Sequence, residues 1–297
     1  MRRASPVIAF SIAVLGIFTF SCLDAVMKVL VLSLGTITAL FWRNLAGIAV
    51  SGAIYAAKKQ PLPSRAALKL HVIRGSVSAV MSVAFFWGLA RVPLAQTVAM
   101  TFIAPLLSLF LSARLLKERI TAKTILASVI AFTGVLVILL GQWHAALGHA
   151  AFLGTLAILF SAVCYAYNIV LMRQQALMSG PIEVAFWQSV IIALLMGVGA
   201  PFFAGLPPLV HAPMILLAAT LAVCSLLLLA WAYARGEASY LSTSEYTAFI
   251  WASAFGWLLF GEHVSPATVA GTLLIVGGCI VAARRGPGAL IDTQAAP

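Results

Sequence analysis

Three ionisable side chains fall deep inside apolar stretches of this 297-residue chain: Asp24, Arg43 and Glu245. A charge surrounded by hydrocarbon is costly unless it is paired or used, so each poses a chemical question. Glu245 sits in the most polar of these stretches, Leu241 to Phe249, beside Ser242, Thr243, Ser244 and Tyr246. A carboxylate among hydroxyls suits two tasks, reading the positive end of a polar ligand or carrying a single proton. The plain alternative is a carboxyl group held neutral or bonded by its neighbours. Asp24 and Arg43 have opposite charges and comparable depth. They read either as a structural pair across two helices or as contacts for the ammonium and carboxylate of a zwitterion.

Other candidates surround these charges. Tyr165 and Asn168 are three residues apart, which places them on one helix face, while Tyr167 points elsewhere. Ser78, Met81, Ser82 and Phe85 give another stretch a mixed polar, sulfur and aromatic face. Met100 and Thr101 precede Pro105, a residue that bends or breaks a helix, and Trp251 lies mid-stretch. The five histidines (His71, His144, His149, His211, His263) fall at loops or stretch ends without metal-binding spacing. The four cysteines (Cys22, Cys164, Cys224, Cys279) all lie in apolar runs and read as small hydrophobes. No phosphate-binding loop or nucleotide fingerprint is present, so neither a cofactor nor ATP is expected.

The elements that must position these residues follow from composition. Hydrophobic residues make up 63% of the chain and charged ones 8%, with a mean hydropathy of +1.09. Soluble domains are roughly 25% charged, so the expected class is an all-α integral membrane protein. A helix needs about 20 apolar residues to cross the hydrocarbon core. Ten such spans are predicted, at 7–31, 36–57, 71–91, 94–115, 122–141, 151–172, 181–204, 213–234, 238–260 and 266–284. The first follows Arg2 and Arg3 but is too long for a typical signal peptide, and reads as an uncleaved span. Residues 286–297 read as a short disordered cytoplasmic tail.

The chain also repeats itself. An offset of 144 residues superposes Trp87 on Trp231, Arg91 on Arg235, Glu118 on Glu262 and Gly134 on Gly278. Near the front of each half the offset is 145, matching Gly35, Phe41 and Trp42 with Gly180, Phe186 and Trp187. Two five-span units are therefore expected, residues 1–145 and 146–285. Lys and Arg concentrate in cytoplasmic loops. With the N-terminus inside, 15 of the 18 basic residues fall on the inner side, Arg74 among them. Lys28 and Arg91 fall outside, and Arg43 lies within a span. Both termini are thus placed in the cytoplasm, and an odd span count inverts the second half. The pI near 10 is then a topological signature, with no nucleic-acid partner implied.

One motif occurs in both halves. Leu116-Lys117-Glu118-Arg119-Ile120-Thr121, with Gly134 beyond it, parallels Phe260-Gly261-Glu262-His263-Val264-Ser265-Pro266, with Gly271 and Gly278 beyond. Nearly the whole chain resembles the EamA-type repeat of the drug/metabolite transporter superfamily, whose fourth and fifth spans join through a Gly-Glu turn; the first copy departs in having Lys117 for Gly261. Glu118 and Glu262 are read mainly as hairpin-turn residues, each favouring the positive end of the helix that follows. The resemblance implies a monomeric secondary transporter of a bacterial inner membrane, working by alternating access. Spans 1, 3, 4, 6, 8 and 9 would line a central cavity in the bilayer. It also implies export of small metabolites, amino acids with aromatic or apolar side chains first. Cationic drugs and nucleotide or phosphorylated compounds are the alternative cargo, with an intramembrane enzyme or a scaffold further behind. Tyr233 is assigned to an interfacial aromatic belt, and Glu183 to a span end needing no special role.

Overall fold

The computed structural model describes residues 6–116, 122–144, 148–203, 205–235 and 241–283. Every regular element among them is helical. In lipid this is what backbone hydrogen bonding demands, since a helix satisfies its own N–H and C=O groups. In chain order the helices are α1 (Pro6–Leu34), α2 (Thr36–Ala57), α3 (Arg65–Leu89), α4 (Leu94–Thr101), α5 (Ala104–Leu116) and α6 (Ala122–His144). Then come α7 (Gly148–Ala176), α8 (Pro181–Phe203), α9 (Ala212–Tyr233), α10 (Thr247–Phe260) and α11 (Pro266–Ala283). Six helices, α1, α2, α3, α7, α8 and α9, contain stretches long and apolar enough to cross a bilayer. Shorter apolar stretches run over Leu94–Ser108, Ser128–Gly141 and Pro266–Ile280.

Two of the predicted spans are interrupted. Span 94–115 breaks between α4 and α5 at Phe102 and Ile103. Pro105 has no N–H to give the Thr101 carbonyl, so the turn tightens. Phe102 and Ile103 instead donate to Ala99 and Met100, three residues back, at 3.2 and 3.4 Å. Across the molecule, the 3₁₀ segment Ser242–Tyr246 precedes α10 in the same way. The two breaks touch: the Phe102 and Tyr246 rings meet edge to face at 5.6 Å.

Helices from the front of the chain pair with helices from the back. α1 packs on α9, α2 on α8, α3 on α7, α4 on α10 and α6 on α11. The partners run antiparallel. Gly47 approaches Ser189, Gly52 approaches Phe186 and Gly197 approaches Phe41, so one index rises as the other falls. The α6–α11 crossing is the tightest. A Cβ on Gly134 would sit 2.5 Å from the Gly271 carbonyl oxygen, so a side chain at either glycine would force the helices apart. On the opposite side of α6, Ile125, Val129, Phe132, Leu136 and Leu140 form an exposed stripe at helical spacing, suited to lipid.

Local signals set the ends. Gly35, at φ 80°, turns α1 directly into α2. α10 ends at Gly261, at φ 64°, where Glu262 N donates to Gly256 O and Gly261 N to Trp257 O. Only glycine adopts that backbone without strain. α11 then starts on Ser265, whose hydroxyl accepts from Thr268 N at 3.1 Å.

Candidate substrate-binding site

A connected set of polar side chains runs between α3 and α7. Asn168 Nδ2 donates to Ser78 Oγ at 2.6 Å, and Arg74 Nε donates to Asn168 Oδ1 at 3.0 Å. Arg74 Nη1 donates to Gln175 Oε1. The chain continues from Gln175 Nε2 to His71 Nδ1 at 2.6 Å, and from His71 Nε2 to Glu183 Oε1 at 2.9 Å. Ser179 Oγ also donates to Glu183, at 2.7 Å. Ser78 and Asn168 are thus joined, and Arg74, His71 and Glu183 enter a site where sequence reading gave them no part.

Arg74 corrects the charge count directly. α3 begins at Arg65, so Arg74 lies nine residues into a helix, about 13 Å along it, and is 5% exposed. It is a buried cation within a helix rather than a loop base. Its ligands are neutral amide oxygens; among the described residues no carboxylate lies within 4.0 Å of it.

Glu245 lies in the 3₁₀ segment between α9 and α10. The Tyr233 hydroxyl, at the end of α9, donates to Glu245 Oε1 at 3.0 Å. Tyr233 therefore serves the carboxylate, which its assignment to the aromatic belt missed. Tyr165 on α7 is close enough to feel the charges of both Glu245 and Arg74. No Lys, Arg or His stands within 4.0 Å of Glu245 among the described residues. The result is a buried cation and a half-buried carboxyl group near one phenol, neither with an ionic partner among the described residues.

The remaining sequence candidates are distributed around these groups unequally. Ser244 is buried and its hydroxyl turns back to Leu241 O at 2.7 Å, away from ligand duty. Thr101 likewise donates to Val98 O at 2.7 Å. Met100 is 0% exposed and packs in the core. Tyr246 holds Phe102, as described above. Met81 is partly buried, and its carbonyl accepts from Ser161 on α7 at 3.0 Å; Ser82, on the same helix, is buried. Phe85 is partly buried and packs edge-on to Phe86 at 5.1 Å. Trp251 sits edge-on to Phe18 at 5.0 Å, its buried Nε1 lacking a hydrogen-bond partner. Tyr167, 37% exposed, faces outward.

Asp24 and Arg43 do not close into an ion pair. Each feels the other's charge, yet no N···O distance between them falls within 4.0 Å. Glu262, by contrast, is fully engaged, and with partners the sequence did not suggest. Its Oε1 pairs with Lys28 of α1, and its Oε2 accepts from Leu94 N at 2.7 Å. Lys28 also donates to Val92 O at 2.9 Å. The carboxylate therefore caps α4, a helix from the other half of the chain, while α11 is capped by its own Ser265. Lys28, within the first predicted span and counted on its outer side, is 4% exposed in α1. Glu118 lies outside the described residues. A usable sequence signal existed for both missed cations. Arg74 has Ala218 as its match at 144, a break in the repeat, and Lys28 has Arg173 at 145.

Charged and hydrogen-bonded side chains gathered between apolar membrane helices mark a membrane transport protein. The chain belongs to the EamA-like transporter family, whose sequence profile matches residues 7–140 and again residues 152–284. It is similar to a pseudopaline exporter of Pseudomonas aeruginosa, 27% identical over 278 residues, covering 92% of this chain and 95% of the exporter. It is also similar to a riboflavin transporter of Rhizobium johnstonii, 28% identical over 217 residues, covering 72% of this chain and 70% of that one. A solved crystal structure shares the fold at a TM-score of 0.60 with 22% identity, covering 95% of this chain and all of the other. The protein is accordingly a multi-pass membrane transporter.

Proposed function

We propose that this transporter exports small zwitterionic metabolites across a bacterial inner membrane, amino acids with aromatic or apolar side chains first. The observation behind this reading is the pair of unneutralised charges, Arg74 and Glu245, on either side of Tyr165. A zwitterion presents a carboxylate to the guanidinium and an ammonium to the carboxylate, completing two interactions the protein leaves open. Phe18 and Trp251, in contact with each other, offer aromatic surface for an apolar side chain. The transport cycle is alternating access between ten spans, built as two inverted five-helix repeats with both termini cytoplasmic. Support comes from the pairing of front and back helices in antiparallel register. It comes also from matched detail: Arg91 stacks on Trp87 at 3.6 Å, and Arg235 on Trp231 at 4.3 Å.

Counterflow in proteoliposomes tests the reading. Liposomes loaded with unlabelled phenylalanine should accumulate the labelled amino acid, and Glu245→Gln should suppress this. Exchange of riboflavin or a cationic dye, with no amino acid exchanged, would overturn the substrate class. A second reading gains from the structure as well. A phosphorylated substrate needs several intramembrane cations, and Arg74 joins Arg43 in that role. Nucleotide and sugar-phosphate arms in the same assay separate the two.

A further inference from the structure

A cavity lies between α2, α8 and α9, and the geometry points to a carboxylate-binding station there, centred on Arg43. The inference rests on the zwitterion reading only for the identity of the ligand. The cavity is narrow, about 70 Å³, and its wall includes Arg43, Asn44, Gln188 and Ser189. Gly47, Ala185, Ala219 and Ala222 leave the space open by their small size. Arg43 is seven residues into α2, about 10 Å along it, so its charge faces this cavity rather than bulk water.

The cation is undersupplied with partners. Among the described residues its one protein hydrogen bond is to the neutral Asn44 Oδ1, at 3.3 Å. Ser189 spends its hydroxyl on Ala185 O at 3.0 Å. Asp24 is 4% exposed, with Oδ1 buried and unpartnered, and Gln188 Oε1 is also buried without a donor. On the cavity wall, Gln188 Oε1 thus lacks a donor and the guanidinium lacks an acid, while Asp24, on α1, is not part of that wall. A structural ion pair would have closed this gap, as Lys28 and Glu262 do one helical turn further along α1. A ligand with a carboxylate for Arg43 and an ammonium for Gln188 Oε1 satisfies both sides. The station is distinct from the polar set of Arg74 and Glu245, whose residues lie on α3, α7, α9 and the 3₁₀ segment.

Cysteine accessibility tests this without requiring transport. Cys22, Cys164, Cys224 and Cys279 are replaced by Ala, and Ala219→Cys is introduced on the cavity wall; Ala222→Cys serves if that protein fails to elute as a single species. Modification rates are measured by mass spectrometry for an anionic sulfonatoethyl and a cationic trimethylammonioethyl methanethiosulfonate. Relative to the same reagents on free cysteine, the anionic one should be favoured about tenfold near a guanidinium. Arg43→Gln should remove that preference and Arg43→Lys should keep it. Phenylalanine and 3-phenylpropionate should slow the sulfonate reagent, phenethylamine should not, and Gln188→Met should reduce phenylalanine's protection to that of 3-phenylpropionate. No reaction, equal rates, or a preference that survives Arg43→Gln overturns the station. Protection by 3-phenylpropionate alone overturns its ammonium half. Anion preference with no amino-acid counterflow leaves the station standing and removes the export reading.

Discussion

Two glutamates of the second half, Glu245 and Glu262, meet the membrane on opposite terms. Glu262 uses both oxygens, one on the Lys28 ammonium and one on the Leu94 amide at the start of α4. Glu245 receives one phenol hydrogen bond from Tyr233 and no cation within 4.0 Å among the described residues. A carboxylate whose valences the protein fills is a fastener, joining α1, α4 and the α10–α11 turn. A carboxylate left short of partners is available to a visitor. The repeat sharpens the contrast, because Glu262 has a matched Glu118 whereas Glu245 is matched by Thr101.

The largest expected effect breaks the fastener. Glu262→Leu leaves Lys28 buried with no counter-charge, which should cost about 3–5 kcal/mol and appear as a large fall in melting temperature. Adding Lys28→Met should recover most of that loss; a double variant as unstable as the single one would show that the Leu94 cap, not the ion pair, dominates. Glu245→Gln should do the reverse, with melting unchanged within about 1 kcal/mol while counterflow falls about tenfold to a hundredfold, or about 1.4–2.7 kcal/mol. If stability and transport fall together, Glu245 is a fastener too. Arg74→Lys keeps the charge but loses the fork that holds Asn168 and Gln175, so transport KM should rise about tenfold. Tyr233→Phe removes one hydrogen bond to Glu245. It should cost about 0.5–1.5 kcal/mol in transport, the smallest of the four.

Much of the fold was readable because lipid imposes a simple rule on long apolar runs. The breaks near Phe102 and before Thr247 were partly readable too, since Pro105 announces one of them. The site was less so. Asn168 and Tyr165 advertised themselves by three-residue spacing, but Arg74 was counted with the loop bases because α3 starts six residues before its apolar run. Lys28 fell within the first predicted span, but nothing local named its partner. That partner is 234 residues away in sequence, and the Leu94 amide is 168 from Glu262. Such pairings come from helix docking across the molecule, which no local pattern encodes. Asp24 and Arg43 were read either as a pair or as ligand contacts, and the helix geometry leaves them without a salt bridge to each other.

The edge-to-face contact of Phe102 with Tyr246 has a consequence for the energy of the cycle. On the proposed inverted repeat these are matched residues, so their contact lies on the axis relating the halves. In the proposed alternating-access cycle, exchanging the halves maps this contact onto itself with Phe and Tyr interchanged, so to first order it would contribute equally to inward-open and outward-open forms. Such a joint works as an axle, holding the halves together without favouring either direction. Any preference between the two forms must then come from contacts away from the axis, and the Lys28–Glu262 clasp is one such weight on the balance.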